Sequence, residues 1–419
     1  MKKYDISQGF TIPKGVYKLN PERNFDYQLN RLINWDGGRL EDVQKIADKI
    51  HTSDDWKKYL IQLGDEALRE ERFGNAIAYY RMSEFFMFDG DPDKLKYYRL
   101  ATKLFYAYYQ DYFRVTDVSG GKYPFIEKIS VTVSTEYGKL MKLPVMHVRP
   151  MDENGRILGG IHEGEPGKDV ILLHGGNDSY FEEFLFSLLY LQKQGYEVYC
   201  FEGPGQGGVI REQGIHFTHQ WERPVTALLN ALKLDDVTII GVSLGGYLAP
   251  RAAAFDKRIK RVVAWSIFPC FYDTMLANQT APVRCATELL MNLHARPVIN
   301  FAYGKIAEKM PVVDWGLKHG CYAYEAEDAY DYARKLKLYD ISPVAERITQ
   351  DMLIIGANAD HFIPYRIVGN EISLLKNVKS LTFRLFTEQE QAGNHCNVGN
   401  GKLALDNILN WIALTKRND

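Results

Sequence analysis

Cysteine is scarce in this chain. Five thiols are spread over 419 residues (Cys200, Cys270, Cys285, Cys321 and Cys396), odd in number and without Cys-x-x-Cys spacing. That argues against a disulfide framework or a cysteine zinc site and predicts reduced, mostly buried thiols. Net charge is scarce as well: at −2 it supplies no electrostatic reason to bind nucleic acid or an acidic membrane. No apolar run reaches the roughly 18 residues of a membrane span, and the opening Met1-Lys-Lys-Tyr-Asp-Ile lacks the apolar core of a secretory leader. The expected location is the cytoplasm. Histidines and carboxylates form no group at ligand spacing, so neither a metal nor another cofactor is expected. Repeats are missing too. Arg72 to Tyr80 resembles one tetratricopeptide-like hairpin, but nothing recurs at that period, which disfavours a solenoid.

What the chain has is apolar substance, 46% hydrophobic residues against 25% charged, enough for two domains or one large domain with insertions. Residues 1 to about 125 read as a helical domain. Thr52-Ser53-Asp54 offers an N-cap; Leu60, Leu63, Ala67, Ile77, Tyr80 and Phe85 then recur at spacings near three and four, with Gly74 as the break. Asp91-Pro92 stands ahead of a third helix through Leu95 to Tyr108. After Gly120-Gly121 the pattern alternates: Ile129 to Val133 and Leu143 to Val148 predict a strand pair turning at Tyr137-Gly138. From there strand and helix patterns take turns. Asp169 to His174, Glu197 to Phe201, Val237 to Val242, Arg261 to Ile267, Asp351 to Gly356 and Leu381 to Phe386 are apolar strand candidates, and Leu403 to Leu414 a closing helix. This order implies an α/β fold over residues 126 to 419, with a mostly parallel sheet and helices on both faces. The helical stretch from about 268 to 345 is too long for a crossover and reads as a lid.

Gly241-Val-Ser243-Leu-Gly245 follows a buried strand and precedes an Ala-rich helix, the context of a nucleophile elbow. A serine hydroxyl is a poor nucleophile alone and needs a histidine base oriented by a carboxylate. Asp360 and His395 both follow the carboxyl ends of late strands, where a parallel sheet keeps its ligand crevice. The order Ser243, Asp360, His395 is that of the α/β-hydrolase fold. The expected oxyanion donors are the N–H of Leu244 and one from the His174-Gly-Gly-Asn177 loop, at Gly176 or Asn177. His361 and His174 read as structural, Asp351 as solvated at the far end of its strand, and Glu202 as either facing the crevice or bracing its loop.

Three motifs carry a family likeness: Phe201-Glu-Gly-Pro-Gly-Gln-Gly207, Asn358-Ala-Asp-His-Phe-Ile-Pro364, and Glu390-Gln-Ala-Gly-Asn-His-Cys-Asn-Val-Gly-Asn400. Over about residues 165 to 415 the chain resembles the α/β-hydrolases that include 2,6-dihydroxypseudooxynicotine hydrolase and the fungal yellowish-green type polyketide-shortening hydrolases. A more distant similarity joins it to the fermentation-respiration switch esterase family. The resemblance implies a Ser243-Asp360-His395 triad, an N-terminal helical region covering the site, a homodimer, and in several members cleavage of a carbon-carbon bond beside a ketone. It also implies an acidic lid residue near the substrate, for which Asp273 is the nearest candidate. The expected partner is a small apolar or aromatic carbonyl compound cleaved at an ester or a ketone-adjacent carbon-carbon bond. A ligand-binding protein that keeps the fold without catalysis, and an acyltransferase, are the rival readings.

Overall fold

The computed structural model describes residues 1–88, 90–114, 122–134 and 138–417. The first 125 residues contain helices but no strand among the described residues: α1 (Arg23–Arg31), α2 (Leu40–Gln44), α3 (Ser53–Arg69), α4 (Phe73–Phe85) and α5 (Lys94–Tyr108). Thr52 caps α3 in a reciprocal box with Asp55, each side chain taking the other's backbone N–H, so two donors at the helix start are satisfied at once. The break between α3 and α4 falls at Glu71, which turns the chain at φ 58°, and not at Gly74, which lies in the first turn of α4. Asp91 stands two residues before the N-cap position: α5 starts at Lys94 after Asp93, and Asp91 accepts the N–H of Asp93. These helices bury their own apolar centre around Phe25, Trp56 and Phe86.

One sheet of eight strands follows, in the order β1-β2-β4-β3-β5-β6-β7-β8. Its members are β1 (Ile126–Ser134), β2 (Leu140–Val148), β3 (Val170–His174), β4 (Glu197–Phe201), β5 (Val237–Val242), β6 (Ile259–Trp265), β7 (Asp351–Ala357) and β8 (Ser380–Phe386). β1 and β2 form an antiparallel pair, and β2 lies antiparallel to β4; every later pairing is parallel. Gly120, Gly121 and Tyr137, expected at the domain boundary and the hairpin turn, lie outside the described residues. All residues of β3, β4, β5 and β7 are buried. This is why they read as unbroken apolar runs, since a parallel strand is covered on both faces. Asp351 shares that burial, at 5% exposure, because β8 pairs outside it; it accepts from Ser380 Oγ and faces Lys379, so it is not solvated.

The sheet is covered by α6 (Leu185–Lys193), α7 (Gly207–Gln213), α8 (Glu222–Ala231), α9 (Gly245–Phe255), α15 (Val368–Leu374) and α16 (Gly401–Lys416). Between β6 and β7 the chain leaves for α10 (Phe271–Leu276), α11 (Ala281–Asn292), α12 (Arg296–Ala307), α13 (Pro311–Tyr324) and α14 (Ala329–Leu336). The insertion is pinned at its base, where Phe271 N–H donates to Tyr339 O and Ile341 N–H to Pro269 O. It also leans on the N-terminal helices: Trp315 of α13 stacks on Phe85 with ring centres 5.2 Å apart. No helix among the described residues is long and apolar enough to cross a membrane.

Candidate active site

Ser243 sits between β5 and α9 with φ at 61°, a left-handed conformation that an L-residue holds only when its surroundings enforce it. Here they do. Its N–H donates to Trp265 O on the neighbouring strand (3.0 Å), and its carbonyl accepts Gly246 N–H (2.8 Å). A methyl at Gly241 would stand 2.2 Å from Gly245 O, and one at Gly246 would stand 2.4 Å from Ser266 O. Gly245 has 3.3 Å to the His174 ring, so the tightest glycines are 241 and 246. Bare backbone therefore allows strand and helix to close on each other and lifts the serine out at their junction, where it is partly exposed.

His395 Nε2 lies 2.8 Å from Ser243 Oγ, and His395 Nδ1 lies 2.6 Å from Asp360 Oδ2. A carboxylate only accepts, so Nδ1 carries the proton and Nε2 presents its lone pair to the serine hydroxyl. Asp360 is fixed through its other oxygen, which accepts the N–H groups of Phe362 and Ile363, both at 2.9 Å. Burial works against the imidazolium, but Asp360, with Cys396, outweighs it and holds the His395 pKa well above the usual value. The loop carrying the histidine is braced by Asn397, which accepts from Trp265 Nε1 and donates to Ala392 O. Tyr27 of α1 reaches the same place: its hydroxyl donates to His395 O at 3.3 Å. Phe362 and Tyr27 stand at 5.3 and 6.1 Å from the imidazole, centre to centre.

Across from the serine runs the loop after β3. The methyl position of Gly176 points at Ser243 Cβ (2.7 Å) and at the Leu244 nitrogen (2.9 Å), so only glycine admits this approach. Among the described residues, Leu244 N–H and Asn177 N–H donate to no protein acceptor, and Gly176 N–H reaches Ser179 Oγ only at 3.4 Å. Gln206 Nε2 holds the loop by its carbonyls, 2.8 Å from Gly175 O and 3.1 Å from Gly176 O. Three more side chains grip the next two residues. Tyr324 OH donates to Asn177 Oδ1 (2.8 Å), His319 Nε2 to Asn177 O (2.9 Å), and Arg31 to Asp178 Oδ2 (2.7 Å).

The remaining sequence candidates lie further out. Glu202 is buried and accepts from Phe181 N–H (3.0 Å) and Gly208 N–H (2.8 Å); burial and the neighbouring Glu182 push its pKa up to about 8. No described contact joins it to Ser243 or His395, so it braces the turn between β4 and α7. Asp273 is exposed in the first turn of α10, where partial desolvation of its carboxyl and the charges of Glu288 and Asp340 raise its pKa; again no described contact leads to Ser243, Asp360 or His395. His174 donates through Nδ1 to Gly175 O, and burial lowers its pKa to about 4. His361 packs on Phe362 and Tyr27, and burial lowers its pKa to about 3. No group of three or more metal-type ligands occurs among the described residues. Tyr27, Arg31, His319 and Tyr324 carried no local signal in the sequence, because each meets the site only through tertiary packing.

A model of the alpha/beta hydrolase family matches residues 170–391. Hydrolase acrC of Aspergillus aculeatus is 26% identical over 223 residues, 51% of each chain, and alpha/beta hydrolase psoB of Aspergillus fumigatus is 29% identical over 282 residues, 59% of each. The 20-hydroxy-prefusarin hydrolase of Gibberella moniliformis is 36% identical over 141 residues, 30% of this chain and 31% of that one. The chain thus spans about half the length of the first relatives it matches. A crystal structure of 2,6-dihydroxy-pseudo-oxynicotine hydrolase superposes with a TM-score of 0.59 at 18% identity, covering 91% of this chain and 94% of that one. Sheet order, elbow and family match agree: the chain belongs to the alpha/beta hydrolase family.

Proposed function

We propose that the protein is a serine hydrolase in which Ser243 is the nucleophile, His395 its base and Asp360 the group that orients the base. The reading rests on one observation, the continuous hydrogen-bonded line from Ser243 Oγ through His395 (2.8 Å) to Asp360 (2.6 Å). His395 takes the hydroxyl proton as Ser243 Oγ bonds to the substrate carbonyl carbon, and Leu244 N–H with Gly176 or Asn177 N–H receives the oxyanion. The same imidazole then protonates the departing group, leaving an acyl-serine. Water, deprotonated by His395, attacks that ester and releases the acid while the proton returns to Ser243.

The leaving group is an alcohol in an esterase or a carbonyl-stabilised carbanion in a carbon-carbon hydrolase; both pass through the same acyl-enzyme. An aromatic surround, with Tyr27 and Phe362 beside His395 and Tyr324 beside Asn177, favours a small apolar or aromatic carbonyl substrate. A fluorophosphonate should label the protein at Ser243, and Ser243→Ala should lose both label and hydrolysis. A folded protein that never reacts would replace the enzyme by a ligand-binding protein, and faster product release with added alcohol would mark an acyltransferase. Turnover of a p-nitrophenyl ester compared with a β-diketone separates the two bond types. Association as a homodimer belongs to the same proposal. Leu289, Leu293 and Phe301 leave 59%, 66% and 69% of their surface exposed on α11, its end and α12, an apolar face fit for a second copy. Sedimentation of a monomer at all accessible concentrations would remove that part.

A further inference from the structure

We infer that the oxyanion loop, whose candidate donor peptides are held on the near side by Gln206, is locked at its Asn177 end from outside the α/β core, by Arg31 of α1 and by His319 and Tyr324 of α13 acting as positioning residues. The inference rests on the proposed role of the loop as oxyanion donor and names what aims it. The argument starts from peptide planarity: the direction of an N–H is fixed once the carbonyl of the same peptide unit is held. Gln206, a core residue, holds the Gly176 carbonyl at 3.1 Å and so constrains the unit that carries Asn177 N–H. Among the described residues, no sheet strand or covering helix holds the next unit, which joins the donor's unit at the Asn177 Cα and so fixes where that donor sits. Its carbonyl, that of Asn177, accepts from His319 on α13. Either side of that unit, Tyr324 of the same helix fixes the Asn177 side chain and Arg31 fixes that of Asp178.

All three grips come from rigid, buried side chains. Arg31, His319 and Tyr324 are 4%, 8% and 4% exposed. Arg31 is itself held by a second carboxylate, donating to Glu183 Oε2 at 2.7 Å, and Glu183 also receives Arg81 at 2.9 Å. His319 lies flat on Trp315 with ring centres 5.4 Å apart, and burial lowers its pKa to about 4, so it meets Asn177 as a neutral imidazole near neutral pH. Tyr324 is stacked on Phe217 at 5.0 Å and its hydroxyl has Asn177 as its acceptor. The two helical segments thus converge on two adjacent residues, which lie directly after the glycine that faces Ser243. A donor aimed in this way acts on the transition state and hardly on the bound substrate, because oxyanion donors are complementary to charge that develops only during reaction.

The test uses the full chain and two conservative variants, Tyr324→Phe, which keeps the ring and deletes the hydroxyl, and Arg31→Lys, which keeps the charge and deletes the fork. Rates are taken per active site, counted by fluorophosphonate titration, on a p-nitrophenyl ester. Each variant is expected to lose about tenfold in kcat with KM unchanged, a fraction of what loss of a whole donor costs. Affinity for a boronic acid that mimics the tetrahedral state should fall by the same factor as kcat/KM. The double variant should lose less than the product of the two single effects, since both act through one loop. A rate that returns to wild type once counted per active site, or a loss seen in KM alone, overturns the inference, as does boronate affinity unchanged in both variants. If Ser243→Ala hydrolyses as wild type does, the underlying reading of the site fails; an inactive Ser243→Ala beside fully active Tyr324→Phe and Arg31→Lys overturns the positioning role alone.

Discussion

Replacing Asp360 with asparagine perturbs one atom of the site and has a calculable result. Asp360 Oδ1 accepts two backbone N–H groups, from Phe362 and Ile363, each at 2.9 Å. In Asp360→Asn the carboxamide oxygen must stay with those donors, which turns its NH2 toward His395 Nδ1. Two donors cannot face each other across 2.6 Å, so Nδ1 becomes the acceptor and the ring proton moves to Nε2. Nε2 then points a hydrogen at Ser243 Oγ and has no lone pair to receive one. In other Ser-His-Asp enzymes this tautomer error costs about 10⁴-fold in kcat, equivalent to roughly 5.5 kcal/mol in the barrier, and the same loss is expected here. The pH profile supplies a second readout. Only neutral His395 acts as base, so wild-type activity climbs as pH rises through a pKa that Asp360 holds well above the usual value. Without the carboxylate, burial is left to disfavour the imidazolium, and the climb should shift to lower pH. The assay is kcat/KM for a p-nitrophenyl ester from about pH 5 to about pH 10, with labelling to count sites. Activity within tenfold of wild type on an unshifted profile would refute the assignment of Asp360.

Further outcomes follow from the same structure. Gly241→Ala, whose methyl would meet Gly245 O at 2.2 Å, should lose folded protein and labelling together, whereas Gly304→Ala on α12, with nothing within 4 Å, should gain about 0.5–1 kcal/mol in chemical denaturation. A stable, labelled Gly241→Ala would show that the elbow is looser than drawn. Glu371 accepts Phe268 N–H at 3.0 Å, and burial pushes its pKa up from 4.5 to about 8. Between those values the folded chain keeps a proton that the unfolded chain has lost, so wild-type stability falls as pH rises through this window and levels off above it. In Glu371→Gln the carboxamide oxygen keeps the Phe268 bond and the titration is gone. Its melting temperature relative to wild type should therefore climb from pH 4.5 to 8, by several degrees; a difference independent of pH would contradict the burial argument. Trp315→Ala should lower the melting temperature and also kcat, since Trp315 supports both Phe85 and the His319 ring; unchanged turnover would separate the packing of the inserted helices from the loop after β3.

Strands and elbow were legible because the forces that shape them are local in sequence. A strand covered on both faces must be apolar throughout, which is how β3, β5 and β7 stand out, and an elbow needs glycine beside its serine. That Asp360 and His395 would come together beside Ser243 could be read because a parallel sheet delivers strand ends to one edge, so position after a strand stands in for position in space. Where two tertiary neighbours decide, the reading failed. Asp351 looked solvated until β8 was seen to cover its strand. Gly74 looked like a helix break because glycine weakens helices, yet the turn was made by Glu71, the residue the packing of α3 on α4 forces into φ 58°. For Asp273 the sequence offered charge and segment but not its neighbours, Glu288 and Asp340. The grips on Asn177 and Asp178 were invisible for a related reason: their donors sit in α1 and α13, more than a hundred positions away on either side.

The backbone threads also impose an order in time. Gly15 donates to Gly399 O, Arg23 to Ala359 O, and Tyr27 to the carbonyl of His395, which a ribosome delivers 368 positions after Tyr27 has emerged. The side of α1 that carries Arg23 and Tyr27 therefore stays unpartnered until those late loops are made, while Phe25 on the same helix already packs against Trp56 and Phe86.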